Sequence, residues 1–222
     1  MLLTLPKRVA RGVSAYSNLG TKTEFSDDYL ASEYGGLTDV MSINFGLAGS
    51  YRLNDQWSFG AGLDLIYGKG ELKRTMSSES GTGGLPLPQP GQTVLDAEAD
   101  GWAVGFNLGT VFELNENNRF GLAYHYSPKL EAEGDISYQG TEYKDDTLYM
   151  PLPDIVEFSG FHKIEDTKFA VHYSVQWIGW SSFDKLEAEK AGVLNNYEWQ
   201  NGMHYSLGGT YYMNRDWTLR AG

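Results

Sequence analysis

Apolar and polar residues alternate with a period of two along most of this chain. Large apolar side chains are usually followed by Ser, Gly, Ala, Asn or His, with Tyr212 as an exception. This alternation covers residues 41–53, 57–67, 102–114, 120–126, 169–177 and 199–213. A period of two is that of a β-strand with one apolar and one polar face, so the pattern predicts an all-β protein.

The breaks between these strands alternate in length. Short polar turns fall at 54–55, 115–118, 165–166 and 214–216, and long polar connections fall at 26–38, 76–99, 129–151 and 181–198. Antiparallel strands in up-and-down order, with tight turns at one rim and long loops at the other, give this alternation. In outer-membrane barrels these rims are periplasmic and extracellular.

The length of the alternating runs favours a membrane barrel over a soluble one. Soluble β-sandwiches and lipocalin-like barrels usually have strands of ~5–6 residues, whereas a transmembrane strand needs ~9–11. Aromatic residues also fall near predicted strand ends, as interfacial girdles do. They include Trp57, Trp102, Trp177, Trp199 and Trp217. The predicted fold is an antiparallel up-and-down transmembrane β-barrel, and a soluble lipid-binding β-protein is the alternative.

The predicted strands are odd in number. They cover residues 8–25, 39–53, 56–75, 100–114, 118–135, 154–164, 167–180, 199–213 and 216–222. Bacterial single-chain barrels have even strand numbers, and the ninth run is too short to cross a bilayer. We therefore expect a partial barrel with open edges.

The composition narrows the classes of function. The 222 residues carry a net charge of -12 and no Cys. The acidic balance argues against a nucleic-acid partner, and the lack of Cys excludes thiol catalysis, disulfides and thiolate metal sites. No run approaches the ~20 apolar residues of a membrane helix, which excludes a helical membrane protein. No cofactor is implied.

Several segments, taken in order, resemble the FadL-type family of outer-membrane long-chain fatty acid transporters. They lie at 17–25, 49–60, 113–120, 152–154, 171–174, 180–181 and 208–212. The resemblance covers residues 8–222, a partial barrel domain, and leaves 1–7 without a counterpart. It implies a 14-stranded barrel plugged by an N-terminal hatch. About nine of those strands, the family's third to eleventh, would be present, and the hatch and other strands would lie outside the chain.

The same resemblance implies a function and a location. The protein would be a monomer in the cell outer membrane, surrounded by its lipid and lipopolysaccharide. It would take up long-chain fatty acids passively and release them sideways through the barrel wall. The alternatives are transport of other hydrophobic compounds, such as aromatic hydrocarbons, and an outer-membrane lipase.

Two candidate sites come from the resemblance. Asn18, Leu19 and Gly20 match the strand whose inward kink opens the family's lateral exit. The residues alone favour an ordinary strand glycine, and the resemblance reverses that preference. Arg74 matches a basic residue that meets the fatty acid carboxylate, which a guanidinium can bind through two hydrogen bonds. Without the resemblance, Arg74 and Lys73 would be a solvated basic pair.

The family's second basic residue, a lysine, aligns near Asn195. We therefore expect Lys185 or Lys190 to replace it, or Arg74 to act alone. The loop 77–98 supplies a candidate apolar groove through Leu85, Leu87, Val94 and Leu95. Exposed apolar loop residues suggest a binding site, but the many Pro residues disfavour helices in this loop. A binding groove and an ordinary loop are therefore equally favoured.

The tripeptide His-Tyr-Ser occurs at 125–127, 172–174 and 204–206. A Ser/His pair can form a nucleophile, which is why a lipase is considered. Each copy places His and Ser on the polar face, and no carboxylate follows at a fixed offset. Polar lumen residues are the favoured interpretation, so the chain is predicted not to be an enzyme and to hold no metal.

Overall fold

The computed structural model describes residues 8–26, 29–77 and 91–222, with the main chain only at 18–21 and 195. No helix in this part is long or apolar enough to span a membrane. The described residues form thirteen antiparallel strands. They are β1 (Val9–Glu24), β2 (Leu37–Arg52), β3 (Trp57–Thr75), β4 (Thr93–Asn115), β5 (Asn118–Tyr126), β6 (Lys129–Tyr138), β7 (Thr141–Pro151), β8 (Ile155–Lys163), β9 (Phe169–Ile178), β10 (Lys185–Ala188), β11 (Gly192–Asn196), β12 (Gly202–Tyr212) and β13 (Thr218–Ala221).

Nine strands form one continuous antiparallel wall. Its order is β1-β2-β3-β4-β5-β8-β9-β12-β13. Among the described strands, β1 pairs only with β2 and β13 only with β12, so the wall is open at both edges. The predicted all-β fold and its nine barrel strands are confirmed.

The two faces of the wall differ as the alternation predicts. Large apolar side chains on one face are exposed, including Leu63 at 60%, Val104 at 61% and Leu207 at 71%. Small and polar residues occupy the other face, and Asn44 and Thr210 there are each 4% exposed. In an outer-membrane barrel the apolar face meets lipid and the polar face lines the lumen.

Aromatic pairs mark both ends of the apolar band. Trp57 packs against Phe112 near the tight turns, with ring centroids 4.8 Å apart, and Tyr67 packs against Trp102 toward the long connections at 4.9 Å. Ten residues of strand rise about 34 Å, which a tilt of about 45° reduces to about 24 Å. This matches the ~25 Å apolar band of outer-membrane barrels.

The long connections are not loops throughout, which corrects the sequence prediction. Residues 93–99, assigned to a connection, are the first part of β4, and the connections 129–151 and 181–198 contain β6, β7, β10 and β11. These four strands pair in the order β6-β7-β10-β11, with β6 on β4. We call them the loop-side sheet.

The predicted single strand 118–135 is also wrong, because the chain leaves the wall between β5 and β6. β4 pairs with β5 over Phe106–Asn115 but with β6 over Leu95–Asp100. Pro128 stands at the break, where it has no N–H to donate to a ladder. Past this point β6 lies so close to β4 that a Cβ at Gly101 would overlap the main-chain carbonyl of Glu131.

A hydrophobic core fills the space between the loop-side sheet and the parts of β3 and β4 nearest the long connections. The core contains Ile66, Ala97, Ala99, Ala103, Leu130, Ala132, Ile136, Leu148, Met150, Leu186 and Ala188. Each buried Leu or Ile contributes about 1.5–3 kcal/mol. Burial of these apolar side chains therefore stabilises the loop-side sheet, as it does a small soluble domain.

Asp146 ties the β10–β11 turn to β7. Its side chain is fully buried and accepts hydrogen bonds from the main-chain N–H groups of Lys190 and Ala191, at 2.8 and 2.9 Å. Lys190 Nζ donates in turn to the carbonyls of Lys144 and Asp145, both at 2.8 Å. A buried carboxylate is stable when N–H groups satisfy it in this way.

Candidate functional site

Arg74 lies near the end of β3, seven residues past Tyr67 and therefore beyond the apolar band. The main chain of β2 begins beside it at Leu37, and Leu95 on β4 is its direct cross-strand partner. The turn before β2 also packs here, since Ser32 Oγ donates to the carbonyl of Thr75 at 3.0 Å. Arg74 is thus enclosed by three strands and a turn at the loop-side rim.

The guanidinium of Arg74 bonds only neutral oxygens in the part of the chain that the structure describes. Nη1 donates to the carbonyls of Leu37 and Lys73 at 2.6 and 2.8 Å, and Nη2 donates to Thr38 Oγ1 at 2.8 Å. No ion pair to it is found among those residues. Within the described ranges, the group is therefore a partly buried cation without a carboxylate partner.

The surroundings of Arg74 are partly apolar. Burial lowers its pKa below the usual value, and nearby Tyr197 acts in the opposite direction. An arginine nevertheless keeps its charge in proteins. A lowered pKa here reports lost hydration, and a carboxylate that entered this position would restore favourable interactions.

Four aromatic residues form a cluster in the connection between β9 and β12, and one of them, Tyr197, is near enough to Arg74 to affect its pKa. Trp199 packs against Trp180 at 5.2 Å, Phe183 at 5.1 Å and Tyr197 at 5.4 Å between ring centroids. Phe183 and Tyr197 also pack on the core of the loop-side sheet. We call Trp180, Phe183, Tyr197 and Trp199 the aromatic cluster, and it was missed from the sequence. The available signal was Phe183 and Tyr197 inside a connection taken to be polar, with Trp180 and Trp199 at the ends of the flanking predicted strands.

The predicted apolar groove is only partly described. Leu85 and Leu87 lie outside the described residues. Val94 and Leu95 belong to β4 rather than to a loop, which corrects their assignment. Leu95 packs on the core of the loop-side sheet opposite Arg74, while the carbonyl of Val94 accepts the N–H of Gln139 at 2.9 Å.

The two candidate replacements for the second basic residue bond elsewhere. Lys185 Nζ lies 2.6 Å from Glu187 Oε2, and this bond raises the pKa of Lys185. Lys190 is held by main-chain carbonyls, as described above. The side chain of Asn195 is outside the described residues. Lys73 points to the opposite face from Arg74, as predicted, with Nζ 3.8 Å from Asp96 Oδ2.

The strand that carries Asn18, Leu19 and Gly20 is irregular at this point. On β1, Tyr16 pairs with Asn44 and Leu19 with Ser42 of β2, so two residues of β1 stand opposite one of β2. This is the arrangement of a β-bulge, which bends a strand and interrupts its ladder. The bulge comprises residues 17 and 18, so it includes Asn18 of the predicted segment and lies two residues before Gly20.

Two of the three His-Tyr-Ser repeats lie on the neighbouring strands β9 and β12, where their serines belong to a polar ladder across the wall. Ser206 pairs with Ser174, which pairs with Ser159, while His204 pairs with Gln176. His172 Nε2 and Thr210 Oγ1 are 2.9 Å apart. No group of His, Asp and Glu that could hold a metal occurs among the described residues.

The comparison with known families decides the identity of the barrel. The profile of the family described as "Outer membrane protein transport protein (OMPP1/FadL/TodX)" matches residues 3–222. The chain belongs to this family. It is therefore part of an outer-membrane β-barrel in a family of transport proteins, not of enzymes, as predicted.

Relatives of known sequence and structure agree with this membership. The long-chain fatty acid transport protein of Escherichia coli O6:H1 is 32% identical over 95% of the chain and 55% of its own length. A Pseudomonas aeruginosa FadL homologue has a TM-score of 0.82 at 20% identity, covering 97% of the chain and 56% of its own. The toluene transporter TbuX of Ralstonia pickettii has a TM-score of 0.74 at 19% identity, covering 97% and 65%.

The similarity to solved structures establishes the fold, and the similarity to curated relatives covers only part of their length. The two solved structures show that the FadL/TodX fold is shared. The chain spans about half the length of the curated relatives it matches. The activity and substrate of the whole protein are therefore matters of proposal.

Proposed function

We propose that the protein containing this chain carries long-chain fatty acids passively across the outer membrane. In this proposal residues 8–222 supply part of the barrel domain of a monomer whose apolar face contacts membrane lipid and lipopolysaccharide. Arg74 meets the carboxylate, and apolar side chains around it receive the hydrocarbon chain. The observation that carries the proposal is the half-buried Arg74, which has no carboxylate partner in the described chain.

The physical argument rests on desolvation. A charged group in an apolar surrounding is costly unless it is paired. Among the residues that the structure describes, Arg74 has three neutral partners and no charged one, so a ligand carboxylate would supply a charge-assisted bond. Leu95 and Tyr197 stand beside it to contact an adjoining hydrocarbon chain.

We propose release of the ligand through the wall beside β1. The bulge after Tyr16 supports this route, because an extra residue interrupts the regular ladder and bends the strand. A ligand leaving sideways would reach lipid without crossing an aqueous compartment. Deleting Asn18 removes the extra residue. We expect slower uptake with unchanged oleate affinity, and normal uptake would exclude this route.

A second substrate class is favoured by the aromatic cluster. The rings of Trp180, Phe183 and Tyr197 lie 5.1–5.4 Å from that of Trp199, and Tyr197 is near enough to Arg74 to affect its pKa. Aromatic rings stack and pack edge to face with other rings. Small aromatic hydrocarbons, the substrates named for TbuX, are therefore the alternative.

The test compares oleate with an uncharged alkane of the same length in Arg74→Gln. Hydrogen bonds to charged groups are worth about 1.5–3 kcal/mol, so oleate should bind about tenfold more weakly or worse. Alkane binding should change little. Lys73→Gln is the matched control, since it removes the same charge on the opposite face.

The outcomes separate the two substrate classes. Equal oleate affinity in Arg74→Gln and the unchanged protein would remove Arg74 from the site. Toluene that binds more tightly than oleate, with affinity lost in Trp199→Ala but not in Arg74→Gln, would favour aromatic hydrocarbons.

A further inference from the structure

A second group of cations lies on the polar face of the wall, far from Arg74 and close to the tight turns. A cavity of about 840 Å³ opens there over β5, β8, β9, β12 and β13. Its lining includes Arg119, Arg220, His172, His204 and Ser206. The function proposed above uses none of these residues.

The strand register explains how these residues come together. Arg119 pairs with Phe161, Phe161 with His172, and His172 with Gly208, so one row crosses four strands. Arg220 pairs with Thr210 at the other end of the cavity. Ser159, Ser174 and Ser206 form a second row, which we call the serine ladder. Each lies two residues from a member of the first row, so the serine ladder runs parallel to that row and faces the same space.

The charge of the cavity is opposite to that of the chain. The chain carries 29 Asp and Glu against 17 Lys and Arg. Among the described residues that line the cavity, two are Arg, two are His and none is Asp or Glu. Anions are attracted to such a concentration of positive and hydrogen-bonding groups.

The nearest carboxylates on this face are already bonded. Glu113 stands directly opposite Arg119, but its Oε2 lies 2.5 Å from Arg52 Nη2. Glu157, beyond the serine ladder, accepts a hydrogen bond from Gln176 Nε2 at 3.1 Å. Neither of them lines the cavity.

Arg119 is oriented by an aromatic ring. Its guanidinium carbon lies 4.5 Å from the centre of the Phe161 ring. A guanidinium that stacks on a ring keeps its in-plane N–H groups available for an anion. Neither Arg119 nor Arg220 forms an ion pair with another residue in the described ranges.

We propose that this turn-side cavity is a carboxylate-binding site, with Arg119 and Arg220 at its ends and His172 and the serine ladder between them. The carboxylate belongs either to an amphipathic ligand in the lumen or to an Asp or Glu side chain elsewhere in the full protein. The site is separate from Arg74 and does not depend on the function proposed for it.

The experiment uses the naturally encoded full-length protein in a neutral detergent, with sodium octanoate as the probe and 1-octanol as its uncharged counterpart. The NMR signals of the His172 and His204 rings report on the cavity and are assigned with His172→Gln and His204→Gln. We expect octanoate, but not octanol, to shift both signals. Because β5 and β13 are four strand spacings, about 19 Å, apart, one carboxylate contacts one of the two arginines, so the double variant Arg119→Gln/Arg220→Gln should weaken this binding about tenfold.

Two controls separate this site from others. Arg215→Gln removes the same charge from the tight turn beside the cavity and should leave octanoate binding unchanged. Arg74→Gln should also leave the two His signals responsive, whatever it does to oleate binding. Failure of the Arg74 proposal would therefore not be mistaken for failure here.

The remaining outcomes distinguish the source of the carboxylate. If it belongs to the protein, octanoate will not shift the signals, and the double variant Arg119→Gln/Arg220→Gln will unfold at a lower temperature than Arg215→Gln. Equal shifts by octanol and octanoate would overturn the proposal. So would a double variant as stable as Arg215→Gln combined with no octanoate response.

Discussion

The wall and the loop-side sheet use the same secondary structure but sort their side chains in opposite ways. In the wall, Leu63 and Leu207 are 60% and 71% exposed, while polar Asn44 is 4% exposed. In the loop-side sheet, Leu148 is 2% exposed and Leu186 is 4% exposed. Both regions are antiparallel and joined through β4.

This difference shows which solvent each region is built for. A sheet that presents large apolar residues outward is stable only against hydrocarbon. A sheet that buries them between its own layers is stabilised by removal of apolar surface from water. The change occurs within β4, between Trp102 on the apolar face and the buried Ala97 and Ala99.

The largest expected effect breaks the core of the loop-side sheet. Leu148→Ala removes buried methyl groups and leaves a cavity, which costs about 2–5 kcal/mol. Hydrogen exchange of the β6 and β7 amides should accelerate accordingly. Leu207→Ala, on the lipid-facing side, should leave those amides unchanged. Unaltered exchange in Leu148→Ala would mean that this core does not hold the sheet.

The next largest effect tests whether the apolar face of the wall contacts lipid or water. Leu63→Arg places a charge near the middle of the apolar band, where it costs about 2–4 kcal/mol. The matched variant Val193→Arg, at a 42% exposed position on β11, faces water. Folding into phospholipid vesicles across a urea series measures both. Equal stabilities of the two variants would contradict a lipid-facing wall.

The smallest expected effect concerns the turn between β10 and β11, which Asp146 binds to the rest of the loop-side sheet. Asp146→Asn replaces a charged acceptor of main-chain N–H groups and should cost about 1.5–3 kcal/mol. The loss should be local, as faster exchange of the Lys190 and Ala191 amides. Asp145→Asn removes the same charge at an exposed neighbouring residue. The same exchange in both variants would show that Asp146 does not hold the turn.

The wall could be predicted because its signal is local. Alternation fixes which residues share a face, and the short turns fix which strands are neighbours. The bounds of β2, β3 and β12 accordingly fall within three residues of those predicted. Arg74 could be placed near a strand end for the same reason, and Lys73 on the opposite face.

The loop-side sheet could not be predicted in the same way. Its strands carry many charges, as in Lys129–Tyr138, where three of the ten residues are buried. The pairing of β6 with β4 joins Tyr138 to Leu95, 43 residues apart, and the pairing of β10 with β7 joins Ala188 to Leu148, 40 residues apart. No local pattern specifies such pairs.

The sequence by itself determined an all-β chain with one apolar face, nine wall strands and a candidate cation at a strand end. Only the tertiary structure decided what surrounds that cation. Thr38, Leu95 and Tyr197 reach Arg74 from three separate segments. A period of two can be seen in residues that are neighbours in the sequence. Desolvation and hydrogen bonding at a site instead depend on residues that meet only after folding.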